Sequence, residues 1–252
     1  MVNGCQRNEK CRLREQTVVE VVRHLASGRT EPYQCRLDDG ELYAVKGRNA
    51  TTRGLIAEAI AAALGQRFGL PVPDFACCEI PPDLLRTIPD DNVNRSLGSG
   101  VCFASLWIEP ADNLTMPMIK KVGPVALAEI YVFDHWIENG DRTLTPMGEN
   151  VNLLFSLPDE RLIAIDHNLA FSDTHVDDDL SVHAGRGSWL KTKDLIGFRD
   201  KLEAKMKELT TSIDTLWEEL PYAWTDEAPD MLERIKQGLA RVEENEFWNE
   251  LG

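Results

Sequence analysis

The sequence predicts an α+β fold in two lobes, the first rich in sheet and the second in helix. Three features predict it. Short runs of β-branched and aromatic residues crowd the first third, one strongly helical segment interrupts them, and from about Trp189 the apolar spacing becomes that of amphipathic helices. The expected boundary lies near residue 110, giving lobes of 1–109 and 110–252.

In chain order, TVVEVVRHL (17–25), PYQCRL (32–37) and ELYAVKG (41–47) are rich in Val, Tyr and Leu, which suit a pleated, half-buried surface. They are separated by ASGRTE and by the turn former DDG. LIAEAIAAALGQRFGLPVP follows: Leu55 to Phe68 are strong helix formers, Gly69 suits a left-handed stop, and Pro71 and Pro73 prevent continuation. FACCEI (75–80) and GVCFASLWI (100–108) predict two more strands, with a Pro- and Asp-rich loop at 81–95 between them. VALAEIYVFDHWI (125–137) carries a helical apolar stripe, and a loop at 138–151 leads to the strands NLLFSL and RLIAID, joined through Pro158, Asp159 and Glu160. The remainder, including KDLIGFRDKLEAKMKELTTSIDTLWEEL and APDMLERIKQGLARVEENEFW, reads as helices.

Composition narrows the class. The 252 residues are 43% hydrophobic and 27% charged, as in an ordinary globular chain. No stretch approaches the ~18 uninterrupted apolar residues of a membrane helix, and MVNGCQRNEKCRLREQ lacks the apolar centre of a secretory signal, so a cytoplasmic protein with no membrane partner is expected. None of the six cysteines forms a C-x-x-C pair; reduced thiols are expected, with Cys35, Cys77 and Cys102 packed in strands. A net charge of −15 argues against direct binding of a nucleic-acid backbone. The charge is uneven: residues 1–36 carry seven Lys/Arg against four Asp/Glu, and residues 201–252 carry six against thirteen. The acidic tail suits a solvated face or a basic regulatory protein partner.

Certain polar groups demand partners. Glu58 interrupts LIAEAIAAAL, a segment apolar on every side, and a charge buried there costs several kcal/mol unless it is paired. Lys46, ending the strand LYAVK, is the nearest base; the alternative is that Glu58 reaches an exposed edge. A strand Lys held by a helix Glu is an arrangement that clamps phosphates. In the hairpin, a turn centred on Asp159 sets residue 152 opposite residue 166, so Asn152 and Asp166 stand side by side at its open end. The loop ENGDRT, with Asp141, enters at that end. Two such oxygen-bearing groups suit a magnesium ion completed by phosphate and water, and a third can accept a proton from a hydroxyl. Each alone is also an ordinary turn residue.

YAVKG, AEAIAAALGQRFGLPVP, NGDRT, NVNLLF and LIAIDHNLAF, in that order over roughly residues 20–190, resemble the HipA-like kinases, a bacterial family whose fold is distantly related to protein and phosphatidylinositol kinases. The resemblance implies a two-lobed protein-kinase-like fold, ATP and Mg²⁺ as cofactors, and transfer of the γ-phosphate to serine or threonine of a protein substrate. It implies that Lys46 contacts the α/β-phosphates, that Glu58 orients Lys46, that Asp141 is the catalytic base, and that Asn152 and Asp166 bind metal. SLWI (105–108), through Leu106, Trp107 and Ile108, would receive adenine by backbone hydrogen bonds.

The sequence departs from the better-known kinase pattern. No G-x-G-x-x-G precedes the Lys46 strand; ASGRTE stands there, so Ser27 and Gly28, with Arg29 or Thr30, would offer the phosphate contacts. The spacing from Asp141 makes Asn150 a rival ligand, Asn152 being preferred because it immediately opens a strand. Arg142 either anchors its loop or contacts phosphate. SDTHVDDDLSVHAGRGS (172–188) occupies the place of a substrate-binding or activation segment, and HipA toxins carry a further N-terminal region, so a toxin role is not expected to transfer. Two other readings compete: a kinase-shaped binding module without activity, and a metal-dependent phosphohydrolase built on FDHW, IDH, His175, His183 and Asp177 to Asp179.

Overall fold

Five strands close a barrel in the first part of the chain. The computed structural model describes residues 15–25, 30–145, 148–172 and 182–252; Ser27, Gly28, Arg29, His175 and Asp177 to Asp179, named above, lie outside the described residues. The barrel strands are β1 (Glu15–His24), β2 (Tyr33–Leu37), β3 (Leu42–Lys46), β4 (Phe75–Ile80) and β5 (Gly100–Leu106), in the order β1-β2-β3-β5-β4. Neighbours are antiparallel except β1 and β4, whose parallel pairing closes the ring. Alternate residues point inward, so Cys35 and Leu37, Val45, Cys78 and Ile80, and Cys102 and Ala104 fill one apolar interior. Cys35, Cys77, Cys78 and Cys102 are all buried free thiols.

Helix α1 (Thr51–Phe68) lies between β3 and β4 and ends as the sequence requires, on Gly69 in the left-handed region at φ 89°. It begins four residues before Leu55, because a 3₁₀ turn at Arg48–Ala50 leads directly into it. Its all-round apolarity has a simple cause: β5 meets it on one side, and helices from the far end of the chain meet it on others. The expected loop at 81–95 instead holds two short helices, α2 (Pro82–Thr87) and α3 (Asp91–Ser96). Pro in the first turn of α2, and the Asp90 side chain accepting from the Asn92 N–H at 2.9 Å, are helix-start chemistry that composition alone does not separate from a loop.

Beyond β5 come β6 (Asp112–Asn113), α4 (Met116–Ile119), α5 (Pro124–Trp136), the two-stranded ribbon β7 (Thr143–Thr145) and β8 (Gly148–Asn150), and the hairpin β9 (Leu153–Ser156) and β10 (Arg161–Ala164). The ribbon folds within the expected 138–151 loop, and β6 adds to the hairpin in the order β10-β9-β6. The chain finishes with α6 (Arg186–Thr192), α7 (Phe198–Thr210), α8 (Ile213–Glu218), α9 (Tyr222–Glu227), α10 (Met231–Ala240) and α11 (Asn245–Glu250). A second core gathers Ile56, Ile60, Leu64 and Phe68 of α1 with Phe133 and Trp136 of α5, Met206 of α7, Leu216 of α8 and Leu239 of α10. Among the described residues no helix is long and apolar enough to cross a membrane.

Candidate active site

Lys46 is the last residue of β3, and Glu58 is buried within α1. Lys46 Nζ donates to Glu58 Oε2 at 2.7 Å and to Asp166 Oδ1 at 2.6 Å. Glu58 is only 3% exposed, which excludes the edge alternative. Burial by itself would push the Lys46 ammonium down, but Glu58 and Asp166 outweigh it and hold the group above the ordinary lysine range. Burial likewise opposes the Glu58 carboxylate; Lys46, with His167 behind it, prevails and holds it at about 2. The contact of Lys46 with Asp166 is an addition to the sequence reading, which paired Lys46 with Glu58 alone.

The hairpin register differs by one from the expectation. Arg161 pairs with Ser156 and Ala164 with Leu153, and the Ile165 N–H donates to the Asn152 carbonyl at 3.1 Å, so Asn152 faces Ile165 rather than Asp166. The turn has four residues, 157–160, centred between Pro158 and Asp159 rather than on Asp159. Asn152 and Asp166 still meet the site, because both take left-handed backbone, φ 45° and 61°, and so leave the strand direction at the hairpin's open end. Asn and Asp tolerate that region better than most side chains.

Asn152 Nδ2 donates to the Asp141 carbonyl at 2.8 Å and to Asp141 Oδ2 at 3.1 Å. Asp141 and Asp166 both line a cavity of about 850 Å³, together with Thr30, Gly54, Asn168 and Phe171. Asp166 also lines a second cavity of about 320 Å³ with Lys46, Glu58, Leu106, Trp107 and Ile108. Ala44, Phe103, Leu154 and Ile163 give this second cavity apolar walls from both sheets. The Leu106 N–H donates to the Asp74 carbonyl and the Trp107 N–H to the Leu42 carbonyl, each at 2.8 Å, so both amides are already used within the chain.

A metal at this site would be offered the Asn152 side-chain oxygen and the Asp166 carboxylate, whose Oδ1 accepts from Lys46. Two hard oxygens, with phosphate and water to complete an octahedron, fit magnesium. The Asn150 side chain lies outside the described residues, and the backbone of Asn150 pairs with Thr143 in the ribbon. Among the described residues no three His, Cys, Asp or Glu side chains form a group that could hold a metal.

Sequence reasoning left Arg142 undecided and missed its partners. Arg142 is 0% exposed and anchors the loop. Its Nε donates to Asp134 Oδ2 at 2.6 Å, its Nη1 to the Ile165 carbonyl at 3.0 Å and to the Asn152 carbonyl, and its Nη2 to His167 Nε2 at 2.8 Å. Asp134 also accepts from Asn139 Nδ2 at 2.9 Å and from His183 Nε2 at 3.1 Å. Burial opposes its charge, but Arg142, then His183 and His167, hold the carboxyl at about 2. Of the residues that suggested a hydrolase, Asp134, His167 and His183 are thus occupied in bracing this loop, and His135 Nε2 instead lies 3.1 Å from Glu250. A signal for Asp134 was present: like Glu58, it is an acid within a run of apolar helix residues, here IYVF before it and Trp136 after His135.

The sequence model described as HipA-like kinase matches residues 18–251. Among solved structures, the chain is similar to the Helicobacter pylori proinflammatory kinase CtkA, at 12% identity and a TM-score of 0.48 over 88% of this chain and 94% of that one. It is also similar to the Golgi casein kinase with Mn/ADP bound, at 13% identity and a TM-score of 0.44 over 91% of this chain and 72% of that one. Another structure of the Golgi casein kinase gives 14% identity and a TM-score of 0.45 over 91% and 71%. No curated protein matches the sequence.

Proposed function

The chain belongs to the HipA-like kinase family, and on that premise we propose that it is an ATP- and Mg²⁺-dependent phosphotransferase that moves the γ-phosphate to a serine or threonine hydroxyl of a protein. The observation carrying this reading is the Lys46–Glu58–Asp166 ion cluster on the wall of the smaller cavity, with Asp141 across the larger one. With the lobes divided at 109/110, adenine would occupy the apolar slot beside Leu106, Trp107 and Ile108, and the Ile108 amide takes over the role that two neighbouring amides cannot fill.

Lys46 exchanges its contact with Asp166 for the α/β-phosphates, while Glu58 keeps the ammonium aimed. Asn152 and Asp166 would hold magnesium, which supplies neutralisation of phosphate charge. Asp141 accepts the acceptor hydroxyl's proton as the oxygen bonds to the γ-phosphorus and the bond to the β,γ-bridging oxygen breaks, releasing ADP. Asn152, donating to Asp141, keeps that carboxylate oriented.

Mg-ATP should raise the melting temperature of the wild type and be turned over to ADP. Asp166→Asn should remain folded and lose turnover by about 100-fold or more, as expected for a charge aimed at the transferring phosphate. Unchanged turnover would remove Asp166 from the site. Stabilisation by ATP without turnover in the wild type would favour the binding module.

A further inference from the structure

Asp141 and Asp166 are each followed directly in the chain by a buried nitrogen-bearing side chain, and those two side chains touch. Arg142 Nη2 donates to His167 Nε2 at 2.8 Å. A guanidinium offers only donors, so Nε2 accepts and the ring proton sits on Nδ1, which lies 3.9 Å from Glu58 Oε1. The backbone N–H of His167 donates to the same Glu58 oxygen at 3.0 Å. On the far side of Arg142, His183 Nδ1 accepts from the Gly185 N–H at 3.0 Å, which leaves Nε2 to donate to Asp134. A polar line therefore runs Lys46–Glu58–His167–Arg142–Asp134–His183. Its four inner members are 3%, 1%, 0% and 1% exposed. Opening any link strands a desolvated group, so such a line holds its geometry.

We propose that His167 is a positioning residue for phosphoryl transfer, fixing the base loop to the lysine–glutamate clamp so that Asp141 and Asp166 are presented at a set separation. This rests on the phosphotransferase reading above. The role does not follow from ring packing. His167 also meets the Phe133 ring edge-on, centroids 6.4 Å apart, and a phenylalanine would keep that contact while leaving Arg142 Nη2 without its acceptor. Glutamine fills the space less well but returns an acceptor oxygen. Packing therefore ranks phenylalanine above glutamine, and positioning ranks them the other way.

The test compares full-length wild type, His167→Phe and His167→Gln in release of ADP from Mg-ATP, with kcat and KM separated and melting recorded. Misplacement of about 1 Å costs roughly 100-fold, so His167→Phe should lose ~10- to 100-fold in kcat with KM for Mg-ATP within ~3-fold, and His167→Gln should recover most of that loss. Phenylalanine matching or exceeding glutamine in kcat would overturn the proposal. A variant-free arm keeps it exposed if a substitution unfolds the chain: the nitrogen resonances of His167 in the wild type should report a proton on Nδ1, and a ring protonated on Nε2 would overturn it. Wild type that neither binds nor turns over Mg-ATP would sink the phosphotransferase reading, and the proposal with it, before any variant is measured.

Discussion

Asp134 is buried among Arg142, Asn139 and His183, and every one of those contacts disappears or weakens if its charge is removed. Asp134→Asn would leave the Arg142 guanidinium buried without a counter-charge, which should cost ~3–5 kcal/mol in urea unfolding. The pH dependence follows from the same pairing. Asp134 and Glu58 are each held at about 2 in the folded chain. In the unfolded chain their values return to about 4. A depressed carboxyl stabilises fully above its unfolded value, and that contribution drains as pH falls toward 2. Stability should therefore drop from about pH 5 downward, and the drop should be shallower in Asp134→Asn; an identical slope would contradict the assignment. Glu58 was legible in the sequence because a charge in an apolar helix calls for a partner. Asp134 in YVFDHW carried the same signal. The Lys46–Asp166 contact was not legible as a pair, because 120 residues separate the two and no local pattern links them.

At the scale of elements, α1 supplies Glu58 and α5 supplies Asp134, and glycines govern how closely other segments approach them. A Cβ on Gly185 would stand 2.2 Å from the Leu127 carbonyl oxygen and 2.9 Å from Tyr131 Cβ, so α6 starts against the α5 backbone with no room for a side chain. Gly185→Ala should destabilise by about 3 kcal/mol or more through overpacking. Gly54, within α1, is the opposite case: a Cβ there meets only ordinary contacts, the nearest at 3.5 Å. Gly54→Ala should stabilise by about 0.5–1 kcal/mol through helix propensity. Thermal denaturation of both variants checks the pair, and equal effects would contradict the close approach at Gly185. The principal strands and helices were legible because period-2 and helical spacing were clear in VVEVV, LYAVK and LIAEAIAAAL. The helices α2 and α3 were not, because Pro and Asp mark loops and helix starts alike. The hairpin register slipped by one because turn length sets it, and Pro158-Asp159-Glu160 does not fix the length.

Across the whole molecule, the barrel has its own apolar interior, yet α1 belongs to the second core with α5 and the C-terminal helices. Barrel closure through parallel β1 and β4 and this shared helix are long-range features, which a pass along the sequence did not reveal. A fragment of residues 1–109 would bare Ile56, Ile60, Leu64 and Phe68, and it should show no cooperative thermal transition by circular dichroism. A sharp transition would contradict the shared core. The central claim is that these two parts enclose a phosphotransferase site with Asp141 as its base. Its most direct measurement is transfer of labelled γ-phosphate from Mg-ATP by purified wild type and Asp141→Asn, each with and without a bacterial lysate, with melting recorded for both. The account predicts label on protein with wild type and a loss of about 100-fold or more in Asp141→Asn at unchanged stability. Equal labelling by the two proteins would contradict it.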